Sequence, residues 1–283
     1  MTVQAKSNLG LSDSDRELLE KELHVIINCA GTTEFNARLD QAMRINVTGA
    51  LQLLKLAEAC GDRFLCLAHI STCYAVCDHQ GVIEESLVAS HVNWEMDYEQ
   101  IRGMNNLDID KYASTLIGKF PNVYTYTKRM AEHLLNQRNL RRVPLLILRP
   151  SIIGASLEEP FPGWTDSITL AGGIYLIGGM GILRDLPGDE NVIGDQIPVD
   201  LVSNQLLGHI PMAVHNYRTT GEALLVTHAS SSQVNPLRWK ETIQYLTSYF
   251  HRSPIVSRAF NPSITFYNNK KVYKVRVPTL TQA

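Results

Sequence analysis

The 283-residue sequence has no excess of charge and few cysteines, and both shortages exclude classes of protein. It holds 26 Lys and Arg against 28 Asp and Glu, a net charge of −2, so no basic footprint for nucleic acid is expected. Its five cysteines form no C-x-x-C motif, and no His is placed to complete a zinc set with Cys73 and Cys77. We therefore expect buried or free thiols in a reducing compartment and no metal site.

The sequence also has no hydrophobic run long enough for a membrane-spanning helix. Its longest uncharged stretch, "SITLAGGIYLIGGMGIL" at residues 167–183, is shorter than the roughly 20 residues that a span needs. Five of its residues are glycines, which disfavour a helix. We predict a buried or cleft-lining segment of a soluble protein here, with a membrane-touching patch as the alternative.

Short apolar runs alternate with amphipathic segments along most of the chain. The apolar runs predict buried strands within residues 24–31, 63–72, 143–154 and 222–230. Helical periodicity and capping residues predict helices within 11–23, 39–62 and 238–250, and a helix that starts near residue 123. This alternation predicts βαβ units, hence an α/β fold with a doubly wound parallel sheet. In such sheets, ligands bind beyond the carboxyl ends of the strands.

Tyr124 and Lys128 stand four residues apart on the helix that precedes the third strand. Residues at this spacing share a helix face, and an ammonium beside a phenol lowers the phenol's pKa from about 10. The pair could therefore donate a proton to a developing alkoxide, while Lys128 holds a cofactor ribose. The alternative is an ordinary solvated helix face. Tyr267 and Lys271 repeat the spacing near a predicted Asn-Asn turn, and we interpret that second pair as structural.

Five further residues lie where such a site would be. Ser71 and Thr72 end the second strand, so either hydroxyl could bond a substrate oxygen, or both could bond the backbone. Asn46 is a polar residue in an apolar-patterned helix; it could orient Lys128 through water or backbone, or simply bend the helix. Ala30 and Gly31 end the first strand and would let a cofactor approach the backbone, or would form a tight turn.

Six segments carry a family resemblance: "INCAGTTEFN", "INVTGALQLLKLAEAC", "HISTCYAV", "FPNVYTYTKRMAEHLL", "VPLLILRPSIIGASLEEPFPGW" and "DQIPVDLVSNQLL". Together they resemble the fatty acyl-CoA reductases, which are extended short-chain dehydrogenases/reductases with a male-sterility-type NAD(P)-binding domain. The resemblance runs from about Asn8 to about Leu207 and more faintly beyond. Its most specific part joins "PNVYTYTK" to the Pro-Gly-Trp signature, here Pro160, Pro162, Gly163 and Trp164. "YLIGGMGILRD" resembles the family's glycine-rich segment near the substrate, with a plain surface loop as the alternative.

The resemblance implies NADPH-dependent reduction of a long-chain acyl-CoA to a primary alcohol, through a hemithioacetal and an aldehyde. Thr72 or Ser71 would stabilise the oxyanion together with Tyr124, the proton donor, and Lys128 would hold the ribose. The cofactor-binding positions would be Ala30, Gly31, Lys128, Pro150 and Ile153. Pro162, Gly163 and Trp164 would lie on the substrate side. The resemblance also implies an intracellular protein, with the cytosolic face of the endoplasmic reticulum or peroxisome and peripheral membrane association as family precedents, and it leaves the oligomeric state open.

The sequence departs from that family at its beginning. A dinucleotide domain opens with a strand, a glycine-rich turn and a helix, and the family's turn resembles T-G-x-x-G-F-x-G. The sequence has no such turn, so we expect a Rossmann-like sheet that lacks its first βαβ units and exposes the strand in residues 24–31 as an apolar edge. The missing part could reflect a fragment, a separate chain, or a truncated product without activity.

The domain organisation predicted from these observations is one incomplete Rossmann-like reductase domain over residues 1–283. Segments 155–200 and 235–283 would lie on its substrate side. Two other functions stay open: another extended short-chain reductase or epimerase, and a remnant without catalysis that binds acyl chains or a partner. The Pro-Gly-Trp signature disfavours the first, and the presence of Tyr124, Lys128 and Thr72 disfavours the second.

Overall fold

The computed structural model describes residues 7–140, 143–168, 171–256 and 258–276. The chain divides into two compact units. The first extends to Pro150 and includes Asn204–Ala229, and the second comprises Ser151–Ser203 and the residues from Ser230 onward. The segments predicted to lie on the substrate side, 155–200 and 235–283, fall in the second unit where they are described, and their role stays a prediction.

The regular elements follow the predicted alternation of strands and helices. The strands are β1 (Val25–Asn28), β2 (Cys66–Ile70), β3 (Leu145–Pro150), β4 (Ile152–Gly154), β5 (Asp185–Pro187), β6 (Gln196–Pro198), β7 (Leu224–Ala229) and β8 (Thr265–Tyr267). The helices are α1 (Asp13–Glu22), α2 (Leu39–Met43), α3 (Gly49–Ala59), α4 (Trp94–Gly103), α5 (Asn106–Ile117), α6 (Val123–Asn139), α7 (Ala171–Gly179), α8 (Val199–Thr220), α9 (Trp239–Arg252) and α10 (Lys270–Arg276).

The sheet of the first unit is parallel, with strand order β1-β2-β3-β7. Its strands are short apolar runs, and β3 is buried along its whole length because helices cover it. One face packs Leu67 and Ile147 against Leu54 of α3 and Leu134 of α6. Within the described residues β1 has no neighbour on its outer side, and its Ile27 side chain is exposed, so the predicted apolar edge is confirmed.

The helix predicted within residues 39–62 is interrupted near its start. Between α2 and α3, residues Arg44–Thr48 form one π-helical turn, so the backbone hydrogen bonds reach one residue further than in an α-helix. The turn places Asn46 and Val47 on the buried side. Gly61 follows the helix at a φ of +66°, as a helix-ending glycine does.

The strand predicted over residues 143–154 is two strands in two different sheets. β3 pairs with β2 and β7, whereas β4 pairs with β6 in a small parallel sheet of the second unit. The prediction of one strand was wrong because an apolar run shows that a segment is extended but does not show which partner each part pairs with. A second small parallel sheet pairs β5 with β8, so Tyr267 lies in a strand.

The glycine-rich stretch at residues 167–183 corrects another prediction. Residues 169 and 170 lie outside the described residues, but Ala171–Gly179 form helix α7, although glycine disfavours helices. Tertiary packing accounts for the difference: a Cβ at Gly179 would lie 2.4 Å from the Phe250 ring of α9, so only glycine fits there. Leu176 and Ile177 are exposed, so the segment is only partly buried. The surface-loop alternative for residues 175–185 fails for 175–179, which are helical, but holds for 180–184, which form a turn and a loop.

None of the helices in the described ranges is both long and apolar enough to cross a membrane. The five cysteines are free thiols. No group of three or more His, Cys, Asp and Glu side chains in those same ranges is arranged to hold a metal ion.

Candidate active site

The candidate site of the first unit lies where β2 ends and α6 begins. Asn122 caps α6, because its side chain accepts a hydrogen bond from the Thr125 N–H at 2.9 Å, and Tyr124 therefore falls in the first helical turn. Thr72 lies two residues beyond the end of β2, and its hydroxyl is close enough to the Tyr124 phenol to lower the pKa of that phenol. The structure thus brings together the two hydroxyls that the sequence placed on separate elements.

The electrostatics of Tyr124 differ from the prediction. Burial raises the pKa of the Tyr124 phenol, and the nearby Thr72 hydroxyl only partly opposes that shift. The predicted lowering of this pKa by Lys128 was wrong, because the Lys128 ammonium is not among the groups that shift it. Helical spacing gives a shared face but not the direction in which two long side chains point. Tyr124 is consequently a neutral phenol that can donate a proton.

Lys128 is buried and points to the end of the neighbouring strand. Its Nζ donates a hydrogen bond to the carbonyl oxygen of Ile70, the last residue of β2, at 2.8 Å. Burial lowers the pKa of Lys128 to about 8, while the negative charge of Glu132 and the Cys29 thiol act in the opposite direction. The ammonium keeps two further protons that can be donated to a ligand.

Ser71 and Thr72 have different hydrogen-bond partners. The Thr72 hydroxyl accepts from the Tyr74 N–H at 3.2 Å and lies 3.5 Å from the Pro150 carbonyl oxygen. The Ser71 N–H is paired with Leu148 of β3, but its hydroxyl is buried and has no hydrogen-bond partner within the described part of the chain. A buried hydroxyl without a partner is unusual and indicates a position where a ligand or water completes the bonding.

Asn46 is tied to the loop after β1 and to α6. Its amide oxygen accepts from the Thr32 N–H at 2.9 Å, and its amide nitrogen donates to the Thr32 carbonyl at 3.2 Å and to the Thr127 hydroxyl at 3.0 Å. A Cβ added to Gly31 would lie 3.1 Å from the Asn46 oxygen and 3.3 Å from the Lys128 Nζ. A side chain at position 31 would therefore fill the space beside Asn46 and Lys128.

The other predicted positions divide between the two units. Ala30 and Gly31 are exposed at the carboxyl end of β1, and Pro150 is buried at the end of β3. Ile153 lies in β4 of the second unit. Pro162, Gly163 and Trp164 also belong to the second unit and lie in the Pro-Gly-Trp loop, residues 156–164.

The Pro-Gly-Trp loop is held by a residue that the sequence analysis did not identify. The Asp200 carboxylate accepts hydrogen bonds from the backbone N–H groups of Leu157 at 2.9 Å, Glu158 at 2.8 Å and Glu159 at 3.1 Å. These bonds lower the pKa of Asp200 to about 2. The Ser156 hydroxyl closes the loop by donating to the Phe161 carbonyl at 2.7 Å. The segment "DQIPVD" was part of the family resemblance, but no local pattern indicated what Asp200 binds.

A buried ion pair below the site was also missed. Arg149 of β3 and Glu132 of α6 are completely buried and form two hydrogen bonds, at 2.9 and 2.7 Å. A single Arg in the apolar run "LLILRP" was the available signal, since a buried charge needs a partner. Glu132 also lies close enough to Lys128 to favour its charged form.

This arrangement defines the class of protein: a Rossmann-like α/β fold with a parallel sheet and with polar groups at the carboxyl ends of its strands. Two solved structures share this fold. The terminal R domain of the myxalamid PKS-NRPS pathway is 18% identical with a TM-score of 0.58, and the match covers 93% of this chain and 55% of that one. RMD from Pseudomonas aeruginosa complexed with NADPH is 20% identical with a TM-score of 0.51, covering 89% and 73%.

Residues 4–206 match the family described as "Male sterility protein", an NAD-binding domain family, and the chain belongs to it. Similar curated proteins are Fatty acyl-CoA reductase 1 of Xenopus laevis, 33% identical, and Fatty acyl-CoA reductase 2 of Homo sapiens, 32% identical. The matches cover 94% and 93% of this chain and 50% of each relative. The family resemblance is thereby confirmed, and the chain spans about half the length of these relatives.

Proposed function

We propose that this chain carries the reducing site of an NADPH-dependent fatty acyl-CoA reductase, which converts a long-chain acyl-CoA to a fatty alcohol through an aldehyde. The observation that carries the proposal is that the Thr72 hydroxyl and the Tyr124 phenol lie close together at the end of β2, with the Lys128 ammonium bound to the Ile70 carbonyl at the same strand end. The names of the curated relatives support the substrate class.

The residues at this strand end fit a nicotinamide cofactor. The exposed backbone of Ala30 and Gly31 carries no side chain beyond a methyl group, so a planar ligand can approach it closely. The unpartnered Ser71 hydroxyl and the spare protons of Lys128 supply donors toward the same end of the sheet. Ala30, Gly31, Lys128 and Pro150 of the first unit would hold the cofactor. A cofactor-binding role of Ile153 stays a prediction of the family resemblance. When bound, the cofactor supplies the hydride.

The chain's own residues would stabilise and protonate the reduced carbonyl oxygen. Thr72 and Tyr124 each present a hydroxyl, and two donors aimed at one oxygen stabilise the negative charge that develops there. In the thioester step this oxyanion collapses, the carbon–sulfur bond breaks, and the CoA thiolate leaves with an aldehyde. In the aldehyde step the neutral Tyr124 phenol gives its proton to the alkoxide, and Lys128, whose ammonium keeps two protons beyond its bond to Ile70, would hold the cofactor ribose.

The first prediction tests this proposal with Tyr124→Phe. The substitution keeps the ring and removes the proton donor, so we expect NADPH binding within about twofold of the unchanged chain and a loss of reduction of at least about 100-fold. Binding is measured by fluorescence titration, and reduction by NADPH oxidation with hexadecanal and hexadecanoyl-CoA. Tyr267→Phe, at the second Tyr–Lys pair, is the matched control and should leave both unchanged.

Two results would contradict the proposal. Full activity of Tyr124→Phe would remove the phenol from the mechanism. Failure of the unchanged chain to bind NADPH would show that this chain alone does not catalyse reduction.

By the same family resemblance we propose an intracellular protein at the endoplasmic reticulum or peroxisome surface. Sedimentation with vesicles of phosphatidylcholine tests the proposed peripheral membrane contact.

A further inference from the structure

Buried polar contacts connect two parts of the candidate site that lie on different elements. Asn46 lies in the π-helical turn before α3, and Thr127 lies in α6 between Tyr124 and Lys128. The Asn46 amide nitrogen donates to the Thr127 hydroxyl at 3.0 Å. Asn46 is 1% exposed and Thr127 is 0% exposed, so water does not compete for this bond.

The Thr127 hydroxyl both donates and accepts a hydrogen bond. It has one proton and donates it back into the first turn of α6, to the carbonyl of Val123 at 2.9 Å or of Tyr124 at 3.1 Å. At the same time it accepts the hydrogen bond from Asn46. A side chain without a hydroxyl could not connect the Tyr124 turn to Asn46 in this way.

Both amide protons of the Asn46 side chain are donated in hydrogen bonds, and its amide oxygen accepts one. Its oxygen accepts from the Thr32 N–H, and its two amide protons go to the Thr32 carbonyl and to Thr127. The neighbouring Gly31 backbone lies against both Asn46 and Lys128. Asn46 lies in the π-helical turn, on its buried side, and such turns within α-helices are frequent at functional sites.

We propose that Thr127 is a positioning residue whose hydroxyl, acting through Asn46, fixes the Gly31–Thr32 loop relative to the turn that carries Tyr124. This loop is the backbone that the cofactor would approach, and Tyr124 is the proton donor of the proposed mechanism. The hydrogen bonds between Thr127 and Asn46 and between Asn46 and Thr32, which we call the bridge, therefore fix the Gly31–Thr32 backbone relative to the Tyr124 phenol. Its catalytic consequence rests on the proposed function, whereas the bridge itself is a property of the free chain.

The second prediction concerns Thr127→Val, which keeps the shape of the side chain and removes the hydroxyl. The Thr32 N–H should exchange with solvent about tenfold faster, because Asn46 loses one anchor, and Thr127→Ser should restore slow exchange. Thr125→Val is the matched control, since Thr125 is also buried in the first turn of α6 but its hydroxyl donates to Asn122 at 3.1 Å. Exchange at Ile147 in β3 should stay unchanged in all variants.

A kinetic measurement separates positioning from a merely structural role. We expect Thr127→Val to lower kcat for aldehyde reduction about tenfold with the KM for NADPH within about twofold, and Thr127→Ser to recover kcat. Unchanged Thr32 exchange in Thr127→Val, or equal acceleration in Thr125→Val, would overturn the proposal. If Thr127→Val does not fold, Thr127→Ala is measured in its place. Absent reduction by the unchanged chain would defeat the proposed function, while the exchange result would still decide the bridge.

Discussion

The strand end that holds Ser71 and Thr72 in the first unit differs from the Pro-Gly-Trp loop of the second unit in how its polar groups are satisfied. In the loop, the Asp200 carboxylate accepts three backbone hydrogen bonds and the Ser156 hydroxyl donates a further one. At the strand end, the Ser71 hydroxyl is buried without a partner among the described residues. A segment whose polar groups are all hydrogen-bonded has a fixed shape, whereas a buried polar group without a partner is typical of a position where a ligand binds.

The same contrast holds for charge. Asp200 gains hydrogen bonds that favour its charged form, so its pKa falls, while Lys128 is buried with one carbonyl partner, so its pKa falls because its charged form is disfavoured. The Asp200 charge therefore stabilises the second unit, whereas the Lys128 charge destabilises the first. A buried charge that lowers stability at the carboxyl end of a sheet strand is a candidate for a functional residue, as proposed above for Lys128.

The largest effect is expected from the ion pair below the site. Arg149→Met leaves Glu132 buried without its partner and should lower the free energy of unfolding by about 3–5 kcal/mol, measured by urea denaturation. The double variant Glu132→Leu/Arg149→Met removes both charges and should recover most of that loss, to within about 1 kcal/mol of the unchanged chain. If the double variant is as unstable as the single one, the loss comes from packing rather than from the isolated charge.

A smaller effect, of opposite sign, is expected at Lys128. Its pKa falls from 10.5 to about 8 on folding, so the unfolded chain binds more protons between these values and stability rises with pH across that window. At pH 7 the charge costs stability, and Lys128→Met should raise the free energy of unfolding by about 1–3 kcal/mol while abolishing reduction. The difference in the free energy of unfolding between Lys128→Met and the unchanged chain should become smaller as the pH rises from 8 to 10.5. A less stable Lys128→Met at pH 7 would show that its bond to Ile70 outweighs burial.

The smallest effect is local and concerns Asp200. Asp200→Asn removes the negative charge, so the backbone N–H groups of residues 157–159 should exchange about tenfold faster while the first unit is unaffected. The sign with pH follows from the lowered pKa: the contribution of Asp200 is present above its ordinary value of 3.8 and is lost as pH falls toward about 2. Exchange that is equally slow in Asp200→Asn would mean that the loop is held by Ser156 instead.

Much of the fold follows from local sequence patterns. The four strands of the parallel sheet, the capped helix α1 and the helix that begins at Val123 were predictable because apolar periodicity and capping residues act over a few neighbours. The split between β3 and β4 and the helix at Ala171–Gly179 were not, because strand partners and the Phe250 ring beside Gly179 come from distant parts of the chain.

The site shows the same division. The sequence alone determined which residues could act, because Tyr124, Lys128 and Thr72 carry the proton donors and lie near predicted strand and helix ends. Tertiary structure decided how they pair: Tyr124 with Thr72, Lys128 with Ile70, and Asn46 with Thr127. The physical reason is the distance along the chain over which each effect acts. Periodicity and capping depend on neighbours along the chain, whereas hydrogen-bond partners and pKa shifts depend on burial and on groups that only folding brings together.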